Sequence, residues 1–248
     1  MYLTIKGLIV RIINYNDYDA FLTVITHSHG KLTIKARGLR RKNSPLTAPC
    51  QLLAYSEFVL FAYKGYYTIN DAKTVEMFHD LRGDLSKLSL GSYFAQVADV
   101  LSQEDQPNPE LLSLVLNSLY ALSKLQVQEL LVKAVFELRI ACLGGYTPDL
   151  YACTHCGNMT PDRFDVSLGH LECSSCNNFP TDSIRMPITP GVLEAMRYIC
   201  SCDPKQLFGF SVSFSTLQNL SQVTETYLSA QLEQGFSALD FYKTILIE

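Results

Sequence analysis

The first eighty residues alternate apolar and polar positions at the period of a strand. "YLTIKGLIVRII" (2–13) combines that alternation with β-branched side chains, and "AFLTVIT" (20–26) and "KLTIKARG" (31–38) flank "HSHG", a turn-rich junction ending at Gly30. β-Branched and aromatic residues suit a pleated, half-buried surface, so this pair predicts a hairpin. "CQLLAYSEFVLFAYKGYYTINDAKTVEMF" supplies two more strands about Lys64-Gly65. About five short strands thus follow one another with no helix long enough to cross over. That pattern predicts a small closed antiparallel barrel, with the OB fold as the candidate type.

From about residue 84 the period lengthens. In "QVQELLVKAVFELRIACLGG" the apolar positions 127, 130, 131, 134, 135, 138, 141 and 142 fall on one helical face, and Gly144-Gly145 supplies the stop. "NPELLSLVLNSLYALS" offers Asn108 as N-cap and Pro109 at the first helical position. "LSLGSYFAQVADVLSQ" before it is amphipathic, and "TPGVLEAMRYIC" and "STLQNLSQVTETYLSAQLEQ" resume helical spacing after residue 187. The expectation is an α+β chain: an OB-fold barrel over 1–80, a helical domain over 81–150 and 181–248, and an insert over 151–180 within the helical part.

The insert reads "CTHCGNMTPDRFDVSLGHLECSSC". Cys153 and Cys156 form one C-x2-C pair, and Cys173 and Cys176 form the second after sixteen intervening residues. That spacing is the four-cysteine zinc pattern. Each pair places two thiolates on one side of a tight knuckle, and two knuckles complete a tetrahedron. Four thiolates close the shell, whereas a catalytic zinc keeps a position open for water. His155 and His170 each sit beside a better-placed cysteine. The expected cofactor is therefore one structural Zn2+, holding a loop too small for a core of its own. Cys50, Cys142, Cys200 and Cys202 read as small buried or half-buried residues.

Composition narrows the class. The chain is 48% hydrophobic and 18% charged, which is unlike a disordered protein. Its longest apolar runs fall far short of the ~18 residues that span a bilayer, so no membrane partner is expected. The N-terminus reads as a first strand rather than a signal peptide, which gives a cytoplasmic expectation and reduced thiols. The net charge of -4 conceals an asymmetry: residues 1–79 hold ten Lys/Arg against five Asp/Glu, and the remainder hold ten against nineteen. A cationic N-terminal part points to a polyanionic partner.

No P-loop, dinucleotide fingerprint, H-E-x-x-H or nucleophile-elbow motif occurs, and the histidines are scattered. No enzymatic activity is expected. The densest chemical signal is "KARGLRRKNSP" (35–45), where Lys35, Arg37, Arg40, Arg41 and Lys42 follow one another without an acid. A charge run alone reads as a solvated loop. Here it lies in a cationic domain, follows a hairpin of a small barrel, and has Tyr15, Tyr18, Phe21, Phe58, Phe61, Tyr63, Tyr66 and Tyr67 nearby in sequence. Single-strand binders combine a cationic track with aromatic faces. Lys31, Lys35, Arg37, Arg40, Arg41 and Lys42 are accordingly the candidate nucleic-acid contacts, with two or three of the aromatics expected at the surface.

"KARGLRRKNSPLTAPCQ" after "THSHGKL", and "LGGYTPDL" leading to "CTHCG" and "GHLECSSC", resemble the RecO family of bacterial recombination mediators. The order of parts agrees along nearly the whole chain. Leu39 stands where the family often has Ala, and His170 where it often has a second Gly; neither removes a charge or a ligand. The resemblance implies a non-enzymatic DNA repair protein of the bacterial cytoplasm, associated with the nucleoid, and narrows the nucleic acid at those candidate contacts to DNA. It would bind single- and double-stranded DNA, anneal complementary strands and, with RecR, help load RecA onto strands coated by single-strand-binding protein (SSB). The acidic C-terminal tail of SSB would meet the helical domain, where Lys133 or Arg139 could receive it; both read equally as ordinary surface cations. The competing reading is a zinc-containing adaptor of the repair machinery without strong DNA binding of its own.

Overall fold

A computed structural model of the chain describes residues 1–176 and 183–246. Residues 177–180 of the expected insert, and 181–182 and 247–248 of the expected helical domain, lie outside the described residues. The chain divides into two compact units, Met1–Leu125 with Phe236–Glu248, and Gln126–Gly235.

The first unit opens with β1 (Tyr2–Asn14), β2 (Ala20–Thr26), β3 (Gly30–Ala36), β4 (Tyr55–Tyr63) and β5 (Tyr66–Glu76). They close into a barrel in the order β1-β2-β3-β5-β4, the five-stranded OB-type arrangement that the alternation predicts. Closure is made where β3 pairs in parallel with β5, Ile34 opposite Tyr67 and Lys35 opposite Thr68. Gly7 lets β1 approach β2: a Cβ there would lie 2.4 Å from Val24 Cγ1. Ile5, Ile9, Leu22, Val24, Ile34, Phe58 and Leu60 fill the interior, the apolar burial that drives such folding.

The long connection from β3 to β4 begins with the basic run and ends as a plug. Leu46, Cys50 and Ala54 join the barrel core, Leu53 N–H donates to Ile9 O at 2.9 Å, and Ile9 N–H returns a bond to Ala54 O at 3.1 Å. Burial pushes the Cys50 thiol up to about 12, so it serves as a small apolar side chain.

Three helices follow: α1 (His79–Arg82), α2 (Leu85–Leu101) and α3 (Pro109–Lys124). Asn108 caps α3 by accepting from Leu111 N–H at 3.0 Å, with Pro109 in the first turn, as the sequence predicts.

The second unit begins with α4 (Glu129–Leu143), which ends at Gly144. β6 (Asp149–Cys153), β7 (Arg163–Asp165), β8 (His170–Glu172) and β9 (Arg185–Pro187) form a small sheet in the order β6-β8-β7-β9. α5 (Pro190–Ser201) starts at a Thr189 cap, and α6 (Phe214–Leu232) starts at a Ser213 cap. α7 (Ser237–Ile245) belongs to the first unit, where it packs on α2. The sequence reading passes over both α7 and the short sheet. Strands of three residues leave too little alternation to detect.

Candidate nucleic-acid interface and metal centre

The basic run is pinned to the β1–β2 turn by main-chain and side-chain bonds. Asn16 Oδ1 accepts from the N–H groups of Tyr18 (2.9 Å) and Asp19 (2.7 Å), an Asx turn that sets this tip. Asp19 then accepts from Gly38 N–H at 2.9 Å and pairs with Lys35 at 3.4 Å. The Gly38 bond, with help from Asn16 and Lys35 and against slight desolvation, holds the Asp19 carboxyl below its ordinary range. Arg40 N–H donates to Tyr18 O at 3.0 Å, and its Nη1 donates to Asn16 O at 2.8 Å. Two loops that the sequence separates are one surface.

The six candidate cations divide into two sets. Lys31 is spent inside the barrel unit: Nζ donates to Asp99 O at 2.7 Å and pairs with Asp99 Oδ1 at 3.3 Å. Lys35 is half-buried, pairing with Asp19 and lying 4.9 Å from the Tyr15 ring centroid. Arg37, Arg40, Arg41 and Lys42 are exposed. Among the described residues none of these four forms an ion pair. Cations without carboxylate partners keep their attraction for an external anion.

Aromatic faces accompany them. Tyr15 (61%) and Tyr18 (54%) are exposed on the β1–β2 turn, and the Arg41 guanidinium stands 5.4 Å from the Tyr18 centroid. Tyr63 (60%) and Tyr66 (78%) flank the β4–β5 turn, where Lys64 lies 5.4 Å from the Tyr63 ring. In OB folds the loops joining strands one to two and four to five are those that meet oligonucleotides. Phe61 is exposed as well, while Phe58 is core. Five of the eight candidate aromatics therefore face solvent rather than two or three. The excess comes from Phe61, Tyr63 and Tyr66 at the β4–β5 end, where Phe61 packs edge-on against Tyr2 of β1 at 5.5 Å between centroids and Tyr63 and Tyr66 flank the hairpin tip.

The four insert cysteines converge as their spacing predicts. Their sulfurs all lie within 4.8 Å of one another, with Cys153 and Cys176 at 4.0 Å and Cys156 and Cys173 at 3.7 Å. Four thiolates around one zinc at ~2.3 Å would stand about 3.8 Å apart, so the set fits the metal. None of the four is in a disulfide. The knuckles are made by Gly157 N–H donating to Cys153 O at 2.9 Å and Cys176 N–H to Cys173 O at 3.0 Å. Gly157 has φ +72°, the left-handed conformation that glycine adopts without strain. Burial opposes ionisation of Cys153, but the amides of Cys156 and His155 outweigh it and bring the thiol down to about 6. Asn158 Nδ2 donates to Cys173 Sγ at 3.2 Å, an outer contact that orients a ligand and that no motif in the sequence announces. His170 is engaged elsewhere, 3.1 Å from Glu172 Oε1, and Arg185 neutralises Glu172 at 2.9 Å.

Lys133 is not a surface cation. It is 2% exposed, and Nζ sits 2.9 Å from both Glu137 Oε1 and Glu225 Oε2. Ser221 Oγ accepts from it at 3.1 Å. A buried lysine keeps its charge only where carboxylates repay the lost hydration, so this position is unavailable to an outside peptide. Arg139 is half-buried, donating through Nη1 to Ile199 O at 3.1 Å and Cys200 O at 2.7 Å.

Comparison with known proteins covers both halves of the chain. Residues 1–78 match the family model "Recombination protein O N terminal", and residues 82–240 match "Recombination protein O C terminal". A DNA repair protein RecO of Acetivibrio thermocellus is 37% identical over 98% of this chain and 97% of its own length. Proteins of the same description from Caldicellulosiruptor saccharolyticus (30% identical, 97% of each chain) and Alkaliphilus metalliredigens (28%, 99% and 100%) are similar along their full lengths.

Proposed function

This chain belongs to the RecO family, and from that premise we propose that it is a DNA-binding recombination mediator acting in DNA repair. DNA repair is the role that its relatives carry in their description. The finer reading is that it binds single- and double-stranded DNA, anneals complementary strands and, with RecR, helps load RecA onto SSB-coated single strands. The observation that carries it is the exposed basic run Arg37, Arg40, Arg41 and Lys42, without an ion pair among the described residues, held against the β1–β2 turn that exposes Tyr15 and Tyr18 through the Arg40 bonds to Asn16 and Tyr18 and the Arg41–Tyr18 contact.

Phosphates would be met by the cations and bases by the rings. Neutralising phosphates releases counterions, so affinity falls steeply with salt, and stacking on tyrosine is tolerant of sequence. Annealing needs no bond-making: two strands held near one cationic face repel each other less. Zn2+ on Cys153, Cys156, Cys173 and Cys176 would fix the fold of the insert and take no part in the DNA contact. Lys133 being buried, an acidic SSB tail would have to use other groups of the helical part, such as the half-buried Arg139. No helix is long and apolar enough to cross a membrane among the described residues, and the site of action proposed is the bacterial cytoplasm, at the nucleoid.

Annealing of complementary fluorescent strands, bare and SSB-coated, tests the reading. The expected outcome is faster duplex formation with the protein than without it. Rates that stay at the protein-free value on bare strands would overturn the annealing role.

A further inference from the structure

The second unit holds two thiols against each other that the metal centre does not use. Cys142, in the last turn of α4, and Cys200, at the end of α5, place their sulfurs 3.7 Å apart. Neither is in a disulfide, and both are partly exposed. Cys200 also lines a cleft of about 340 Å³ with Leu150, Tyr151, Met159 and Arg197, which opens the Cys200 side of the pair to a small reagent. The Arg139 bonds to the carbonyls of Ile199 and Cys200 lock these two helix ends in register.

We propose that Cys142 and Cys200 form a thiol–disulfide site, oxidised by a low-molecular-weight disulfide such as oxidised glutathione to a bond that ties α4 to α5. Cys142 is the attacking group. Its hydrogen bond with Cys200, opposed by burial and aided by Thr147 and Arg139, lowers its thiol to about 7, near the value at which a thiol attacks best at neutral pH. Cys200 is pushed up, first by Cys142 and then by burial, as suits the second, resolving thiol. In the first step the Cys142 thiolate bonds to one sulfur of the reagent, whose S–S bond breaks and releases one glutathione thiolate. In the second, Cys200 gives its proton to solvent and bonds to Cys142 Sγ, expelling the second glutathione thiolate. The protein loses two electrons and the reagent gains them. The closed loop contains all four metal-binding cysteines, so oxidation would tether the small sheet at its base.

The test uses the full chain loaded with zinc and incubated with oxidised glutathione at neutral pH. Remaining thiols are alkylated, the protein is digested without reductant, and the peptides are weighed. The expected product joins the Cys142 and Cys200 peptides and reverts with dithiothreitol. In Cys200→Ser, Cys142 instead accumulates one glutathione, and in Cys142→Ser the Cys200 adduct forms more slowly. Alkylation of both Cys142 and Cys200 in the wild type would overturn the proposal. So would a bond from either one to Cys202, the neighbouring competitor. The wild-type map decides by itself if a variant fails to fold.

Discussion

In the barrel unit, Arg37, Arg40, Arg41 and Lys42 face solvent and form no ion pair among the described residues; in the second unit, Lys133 is enclosed between Glu137 and Glu225. The first unit has a continuous apolar core from Ile5 to Met77; it engages Lys31 and Lys35 with Asp99 and Asp19 but leaves these four cations of the basic run outside. The second folds polar chemistry inward, in the Lys133 cluster and the Asp165–Arg185–Glu172 group, and gathers four cysteines at one point. A barrel stabilised by apolar burial can keep its charge for a partner. A unit with short strands and a small sheet consumes its charge on itself.

The sharpest way to break this comparison is to remove the zinc proposed for Cys153, Cys156, Cys173 and Cys176. Zinc contributes about 10–16 kcal/mol to small zinc-finger domains, so Cys153→Ser or a strong chelator is expected to melt the second unit early. The barrel transition should stay in place. Calorimetry resolves the two, and equal movement of both transitions would mean that the metal is not local to the second unit.

Next in size is Lys133→Ala, which leaves the Glu137 carboxyl buried without the Lys133 charge, its Thr224 bond remaining. Removing one partner of a buried pair costs about 3–5 kcal/mol, read as a lower denaturant midpoint. Lys133→Met with Glu137→Gln is expected to recover much of that loss. A cost near that of an ordinary surface substitution, within about 0.5 kcal/mol, would contradict the buried cluster.

Tyr18→Ala and Tyr66→Ala probe the outward-facing side. Each is expected to weaken single-strand binding by about 1–3 kcal/mol per stacked base while leaving the melting temperature nearly unchanged. Anisotropy with a short labelled oligonucleotide measures it. A loss at one tyrosine and none at the other would assign the strand to one turn.

Much of this was legible before folding. Alternation showed most plainly where one strand face is buried and the other is not, as on β3 and β4; β2, buried on both faces, read as a strand from its β-branched residues. The cysteine spacing predicted that the four sulfurs converge, because the geometry of a metal site constrains ligand spacing directly. Lys133 was illegible: "ELLVKAVFELRI" shows a cation on a helix, and its second carboxylate, Glu225, comes from α6. The meeting of Tyr18 with the basic run was hidden for the same reason, since Gly38 finds Asp19 only once the hairpin has formed. The four exposed cations were visible as a run. That Lys31 would be consumed by Asp99 was not, because Asp99 lies on α2.

The central claim is that the exposed loop cations grip DNA through its phosphates. The direct test measures DNA affinity across a salt series for the wild type and for the combined Arg37→Ala, Arg40→Ala, Arg41→Ala and Lys42→Ala variant. Each phosphate contact contributes about 0.9 to the slope of log affinity against log salt on duplex DNA. The account predicts weaker binding and a slope shallower by about 2–4, with the melting temperature preserved. An unchanged affinity and slope would contradict it.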